Sequence, residues 1–454
     1  MSEQTASAPP PSRAEIFTLA WPLGLKAVMV HGVIAIDAFL VAPLGEKALA
    51  AMGLAGAIGG LLLGFQFAFS TASQIRIAQA FGSGEKVPLK TGFYVGLLIN
   101  LFLALAGIAL VLVFGDFILN TFAHTPWIAQ QAQSYLMVFL WMVVFEAFGH
   151  AFTSHFNGTG ETKMAFYSQL ISIPINVCVS IVLIHGLYGM PALGVTGAAL
   201  GTAAGSLARV AFLAQRFWSK TGAYLDVVGW RNDSFVEATR RHMRFALPIA
   251  ATFSSVTVTN SVCSFLFAKM SVNAFAAMTV IMPWIHMAGV FSIAWAQATG
   301  IIVAQLLGRH TSPGDLDIFL SRAWRVSFAA SGIVSLTYLG VCLASGWIYA
   351  ELQEETRAAL WSFLPVLLLL PFPKGSNAIC GNTLRAGGDT VYVMNIFLSS
   401  QWLFRIPLTA LFILYWDLSV TWVFALFLGE ELVKFPLFHW RLFQKRWQAG
   451  GLSE

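Results

Sequence analysis

Apolar runs of about twenty residues, separated by short polar loops, recur along the whole 454-residue chain, and this pattern restricts its fold more than any other feature. An α-helix needs roughly 20 residues, at 1.5 Å each, to cross a hydrocarbon core of about 30 Å. A run such as Leu97 to Phe114 lacks the alternation of polar and apolar residues that a membrane-spanning β-barrel requires. The runs lie near residues 15–41, 48–80, 91–114, 128–154, 164–185, 195–217, 243–266, 274–306, 321–345, 358–381, 392–415 and 419–441. An all-α integral membrane protein with twelve transmembrane helices is therefore expected. Only 10% of the residues are charged, against about 25% in a water-soluble domain, too few to cover a surface in contact with water.

Twelve crossings place both termini on one side. With that side in the cytoplasm, the outward loops hold only Lys47, Lys269 and Arg357. Once these and the membrane-embedded Lys26, Lys374 and Arg405 are set aside, 20 of the 26 Lys and Arg lie on or near the inner face. The net charge of +5 thus reflects orientation and gives no reason to expect a nucleic-acid partner. Residues 1–14, rich in Ser, Ala and Pro, read as a disordered cytoplasmic tail and not as a cleavable signal. Residues 219–242, with Lys220, Arg231, Arg240 and Arg241, read as a basic cytoplasmic linker. It separates an N-lobe, 15–218, from a C-lobe, 243–442, which ends in a cytoplasmic tail, 443–454. Cys178, Cys263, Cys342 and Cys380 all fall in apolar segments and read as small buried hydrophobes, not as disulfides or metal ligands.

The halves are related. A shift of 226 residues superposes Ala20-Trp21-Pro22-Leu23 on Ala246-Leu247-Pro248-Ile249, and Ala48-Leu49-Ala50-Ala51-Met52 on Ala274-Phe275-Ala276-Ala277-Met278. It also superposes Ala78-Gln79 and Gly82 on Ala304-Gln305 and Gly308; drifting to 228, it brings Gly160-Glu161-Thr162 onto Gly388-Asp389-Thr390. Six crossings per half make the repeat parallel, an arrangement expected of an alternating-access transporter and not of a channel subunit or membrane enzyme.

As a set, certain stretches resemble the multidrug and toxic compound extrusion (MATE) family. They are AWPLG with the following DxFxVxPLGxxALAAMGLA (Ala20 to Ala55), AQxFGxG (Ala78 to Gly84), NGTGETK (Asn157 to Lys163), LGVTGAALGT (Leu193 to Thr202), LPIA (Leu247 to Ala250) and LRAGGDT (Leu384 to Thr390). The resemblance implies two six-helix lobes in a V around a cleft. It also implies a bacterial inner-membrane location and export of small organic compounds, drugs among them, driven by inward flow of H⁺ or Na⁺. Membrane lipid and a small-molecule substrate are the partners to expect, the protein being a monomer without cofactor or metal.

An ionisable side chain at membrane depth costs several kcal/mol unless paired or hydrated, so each is a functional candidate. Asp37 matches the acidic residue that the family places in its first helix as a cation site. Asn176 matches the neighbouring Asn, and Thr202 falls in the family's GAA-x-x-T stretch; the three form the expected proton-coupling site. The family often adds a carboxylate four residues after that Asn, where this chain has Ser180. Sodium-coupled relatives of the NorM type carry acids in spans seven and ten. Here span seven has none, and the span-ten position is Lys374, which has donors only and cannot ligate Na⁺. Proton coupling, as in the DinF-type branch, is therefore expected. Pro22 removes a backbone donor from span one and is expected either to bend it or merely to start it.

Under the shift of 228, Lys374 superposes on Glu146 in span four. These two charges are expected in the cavity, either approaching each other across the cleft or each with a partner in its own lobe. His150, one turn from Glu146, and Arg405, Glu430, Glu431 and Lys434 are read as structural. Among the aromatics, Phe65, Trp141, Phe145 and Trp284, with Phe69 and Trp295, are candidates for an apolar cleft wall. A lysine in that cavity leaves neutral and anionic substrates open, and a flippase of lipid-linked precursors is the alternative within the same superfamily. An enzyme is not expected, because the nine histidines are scattered and no HExxH or Cys/His set is present.

Overall fold

The computed structural model describes residues 11–123, 125–221, 234–348 and 353–449. The regular elements among them are all helices. The first half contains α1 (Arg13–Val41), α2 (Glu46–Ser83), α3 (Lys86–Phe122), α4 (Pro126–Gly158), α5 (Thr162–His185) and α6 (Val195–Thr221). The second contains α7 (Ser234–Phe267), α8 (Val272–Gly308) and α9 (Pro313–Ile348), then three short helices, α10 (Glu354–Ser362), α11 (Leu364–Leu369) and α12 (Pro371–Ala386). It closes with α13 (Thr390–Leu398), a π-helical stretch Ser399–Arg405, α14 (Ile406–Leu414) and α15 (Val420–Phe443). Ten helices among the described residues are long and apolar enough to cross a membrane, α13 to α14 counting as one. An eleventh crossing is broken, the stretch Glu354–Leu369 meeting Pro371–Ala386 at 44°. α15 is long enough at 24 residues but carries Glu430, Glu431, Lys434 and Arg441.

Lipid as solvent explains the surface. Phe102, Leu105, Leu112 and Phe117 of α3 are all more than half exposed, where a soluble protein of this size would place charge. Prolines survive inside α1, α5, α7, α8 and α15 because apolar surroundings strongly favour keeping the remaining backbone hydrogen bonds.

Two expected single crossings are interrupted, and prolines supply the reason. Pro365, Pro371 and Pro373 fall within nine residues and split the tenth crossing, since each lacks an N–H and its ring clashes with the carbonyl one turn earlier. The π stretch of the eleventh ends just before Pro407, where a wider turn relieves the same clash.

The loops confirm the repeat. Gly160 and Gly388, superposed by the shift of 228, both adopt positive φ, 87° and 91°. Each precedes an acid bonded to the last helix of its half: Lys220 to Glu161, and Arg441 to Asp389 at 2.8 Å.

The chain divides into two compact units, residues 25–81 with 85–250, and residues 1–24 with 82–84 and 251–454. The helix beginnings are exchanged: α1 changes unit two residues after Pro22, and α7 two residues after Pro248. The first unit holds a core of small residues on α2, α4 and α6, among them Ala51, Ala55, Ala147 and Ala198. Here too the start of α7 is seated, with His242 within 3.1 Å of Ser73 and Arg76 lying 4.6 Å over the Phe245 ring. The second unit has Phe363 stacked on Phe424 at 4.1 Å, with Met278 and Ile281 in the same core. There Gly24 backs onto Phe291, and a Cβ at Gly82 would run into the carbonyl of Gln305.

Of the expected tails and linker, residues 1–10 and 222–233 lie outside the described residues. Residues 13 and 14 already belong to α1. The closing segment is not a free tail in its described part: Arg446–Ala449 form a 3₁₀ turn, and Trp447 is buried, its indole donating to the Leu442 carbonyl at 3.0 Å.

Candidate functional site

The first cluster grows from a stripe of small residues. Gly197, Gly201 and Gly205, four apart on α6, let its backbone lie against α5, as small-residue faces do between membrane helices. A Cβ at Gly201 would overlap the Ser180 hydroxyl and stand 2.8 Å from the Asn176 carbonyl oxygen; one at Gly205 would stand 2.9 Å from that of Ser172. This approach brings together side chains 26 residues apart: Asn176 Nδ2 donates to Thr202 Oγ1 at 3.1 Å. Thr202 Oγ1 in turn has two acceptors within reach, Asp37 Oδ2 at 3.2 Å and the Ala198 carbonyl at 3.0 Å. A hydroxyl has one proton, so it serves one of them at a time.

Asp37 and Asn176 are buried. Asp37 Oδ1, Asn176 Oδ1 and Ser180 Oγ have no hydrogen-bond partner among the described residues. Two of these are acceptors only, so the site offers lone pairs to a proton or small cation. Asp37, Asn176 and Thr202 are therefore one constellation drawn from α1, α5 and α6.

A second cluster lies in the same unit. Glu146 of α4 accepts from Ser206 Oγ and from Arg209 Nη2, both on α6, and His150 Nε2 stands 3.9 Å away. A Cβ at Gly149 would run into the Arg209 guanidinium, so that glycine clears the path of the pair. Glu146 thus has its counter-ion within its own unit. Arg209, which counting by side of the membrane assigns to the inner face, is in fact buried at 5% exposure. Its signal was a lone Arg seven residues after Thr202, deep inside an apolar run.

In the other unit the charges of α15 knit a network. Lys434 Nζ is 2.9 Å from both Glu430 Oε1 and Glu431 Oε1, and Arg405 Nη1 is 3.1 Å from Glu430 Oε2. Asn377 Nδ2 donates to Glu431 Oε2 at 2.8 Å. Arg405 lies 4.4 Å over the Phe427 ring and Lys434 4.8 Å over that of Phe397. The π stretch that ends at Arg405 also presents Gln401, whose Oε1 accepts from Ser255 at 2.6 Å. Lys374 is half-buried and, among the described residues, has no carboxylate oxygen within 4.0 Å of its ammonium.

The aromatic candidates separate. Phe65 and Trp141 are exposed, at 45% and 66%, while Phe145 and Trp284 are half-buried, Trp284 packing on the core around Ile281. Phe69 and Trp295 are buried and belong to the packing; the Trp295 indole donates to the Ala323 carbonyl at 3.0 Å. Cys178 is exposed, contrary to its reading as a buried hydrophobe, while the other three cysteines are buried.

The MatE family model matches residues 22–182 and again 248–411, the two matches starting 226 residues apart, as the internal repeat does. "Uncharacterized transporter YisQ" of Bacillus subtilis (strain 168) is 23% identical over 444 residues, covering 96% of each chain. "Probable multidrug resistance protein NorM" of Bradyrhizobium diazoefficiens is 26% identical over 427 residues, covering 91% of this chain and 87% of that one. Among solved structures, one described as MATE in the bent conformation superposes with a TM-score of 0.83 at 17% identity, over 96% of both chains. A transporter of the MOP superfamily from Pyrococcus furiosus superposes at 0.81 and 18% identity, again over 96% of both. With the family model spanning most of the sequence and the fold shared at full length, this chain belongs to the MatE family of membrane transporters.

Proposed function

We propose that this transporter is an H⁺-coupled antiporter that exports small organic compounds from the cell by alternating access, with Asp37 as the coupling site. One observation carries the reading: a buried carboxylate, held on one oxygen by Thr202 and, among the described residues, without a hydrogen-bond partner on the other. When Asp37 is ionised, the Thr202 hydroxyl donates to it. When Asp37 is protonated, the same hydroxyl turns to the Ala198 carbonyl 3.0 Å away, so the proton's arrival changes the bonding of α1 to α6. One elementary charge moving through 100 mV releases about 2.3 kcal/mol, which sustains roughly a fiftyfold gradient of a neutral substrate. The relatives named for multidrug resistance favour drug-like compounds as the exported class.

The two lobes, 15–218 and 243–442, with both termini in the cytoplasm of a bacterial cell, complete the proposal; the distribution of Lys and Arg supports that orientation. Transport by the purified protein in liposomes, under imposed H⁺ or Na⁺ gradients, tests it. The H⁺ gradient is expected to drive export, and Asp37→Asn, which keeps the shape but cannot exchange a proton, is expected to abolish it. Export that follows Na⁺ alone, or that Asp37→Asn leaves intact, refutes the mechanism.

A further inference from the structure

Three helices of the second unit meet at one imidazole. His439, half-buried near the end of α15, stacks on Phe435 at 3.9 Å and on Trp324 of α9 at 6.1 Å. Its Nδ1 lies 2.7 Å from the Phe435 carbonyl, and its Nε2 lies 2.8 Å from Ser376 Oγ on α12. The same Ser376 oxygen accepts from the Trp324 indole at 3.0 Å. Cys380, one turn further along α12, is the titratable group that this helix turns toward the ring, its Sγ 3.7 Å from Nε2. α9 offers the neutral indole, and α15 itself offers Phe435 and Phe443, so among the described residues no charged group acts on the imidazole.

The partners fix the direction of every hydrogen. A carbonyl only accepts, so Nδ1 carries the hydrogen and donates it to Phe435. In the neutral ring Nε2 is then an acceptor, and the Ser376 hydroxyl donates to it while accepting from Trp324. Trp324, Ser376 and His439 thus form one polarised chain with each link satisfied. A proton added at Nε2 reverses the last link. Nε2 becomes a donor, the Ser376 oxygen accepts from both rings, and the hydroxyl hydrogen has to turn away, the carbonyl of the preceding turn being the acceptor that a helical serine uses. The charged ring has a place as well, since it lies between the faces of Phe435 and Trp324, which attract a cation.

Ser376 is buried three residues after Pro373, on the piece of the broken tenth crossing that follows the kink. With Asn377, whose Nδ2 donates to Glu431, it ties that piece to α15. We propose that His439 is a second proton-binding site of this transporter, additional to Asp37, and that its charge re-aims the Ser376 hydroxyl and loosens α12 from α15. The proposal goes beyond the coupling reading above and does not depend on it.

Full-length protein with labelled histidines in phosphatidylcholine nanodiscs tests it, by NMR titration and by hydrogen exchange of α12 amides corrected for their intrinsic rates. The resonance that His439→Gln removes is expected to titrate between about pH 5 and pH 8, the range in which imidazoles change charge. Protection of α12 in the wild type is expected to fall about three- to tenfold from the basic to the acidic end of that titration, as the loss of one net hydrogen bond provides. In His439→Gln the protection is expected to stay constant, because glutamine accepts from Ser376 but cannot be charged. Ser376→Ala, which leaves the ring in place, is expected to keep the titration and lose the fall. A His439 resonance that does not titrate in this range overturns the site. Constant protection in the wild type, or a fall that survives either variant, overturns the link to α12. Both signals are expected unchanged in Asp37→Asn, and a fall that this variant abolishes would assign the effect to Asp37 and overturn the proposal. No ion gradient is applied, so failure here leaves the H⁺ coupling of Asp37 standing, and the converse also holds.

Discussion

Thr202 is the residue through which the coupling site acts, because it is bonded to both Asn176 and Asp37 while its proton also reaches Ala198. Thr202→Val keeps the shape and removes the hydroxyl, leaving Asp37 and Asn176 without their shared partner. An unsatisfied buried polar group costs about 1–3 kcal/mol, so H⁺-driven transport is expected to fall by about tenfold, with fold and expression preserved. Initial export rates, read alongside thermal melting of the same preparation, check this. Glu146 and Arg209 call for the opposite outcome, a loss of stability. Breaking a buried pair from one side strands a charge, at a cost of about 3–5 kcal/mol, whereas removing both charges costs far less. Arg209→Met and Glu146→Gln are each expected to lower the melting temperature sharply and the double variant to recover most of it; additive losses would show that the two do not act as a pair.

At the scale of elements, the glycine stripe of α6 does what no polar side chain does: it sets the distance between helices. Because a Cβ at Gly201 would overlap the Ser180 hydroxyl and approach the Asn176 carbonyl, Gly201→Ala is expected to separate α5 from α6 and break the bond between Asn176 and Thr202. Folded yield after detergent extraction is expected to drop. Adding Ser180→Gly is expected to restore part of it, since the hydroxyl is the nearer obstacle. Recovery of full yield by Gly201→Ala alone would mean that the helices have slack that the glycines do not govern. The broken tenth crossing and the π stretch of the eleventh are the counterparts in the other unit, where prolines instead of glycines shape the backbone around Lys374 and Arg405.

For the whole molecule, the exchange of helix beginnings gives Pro22 and Pro248 a common position. Each lies two residues before its helix passes from one compact unit to the other, and each lacks the N–H that would stiffen that turn. Restoring the hydrogen bond is therefore expected to slow any motion that bends these helices. Pro22→Ala and Pro248→Ala are both expected to reduce turnover several-fold while substrate binding is kept. Export rate measured against equilibrium affinity separates the two effects, and an effect confined to Pro22 would show that the second crossing has no such role.

Crossings, class and repeat are legible in the sequence because hydropathy acts locally: twenty apolar residues have one stable state in lipid, whatever surrounds them. The duplicated prolines and glycines carried the family resemblance for a similar reason, since a positive φ at Gly160 and Gly388 is a demand of a single turn. Asp37, Asn176 and Thr202 were found by that resemblance, and the folded chain shows them bonded in a row. Partners were not legible. Between helices, nothing local says that Arg209 answers Glu146 or that Arg405 answers Glu430; only the contacts of Lys434 with Glu430 and Glu431 follow from spacing, at i, i+4 and i, i+3. Charge pairing inside a membrane is decided by which helices approach closely enough to exclude lipid and water between them. That approach is set by small residues and prolines scattered along the chain, and so only the tertiary structure decided it.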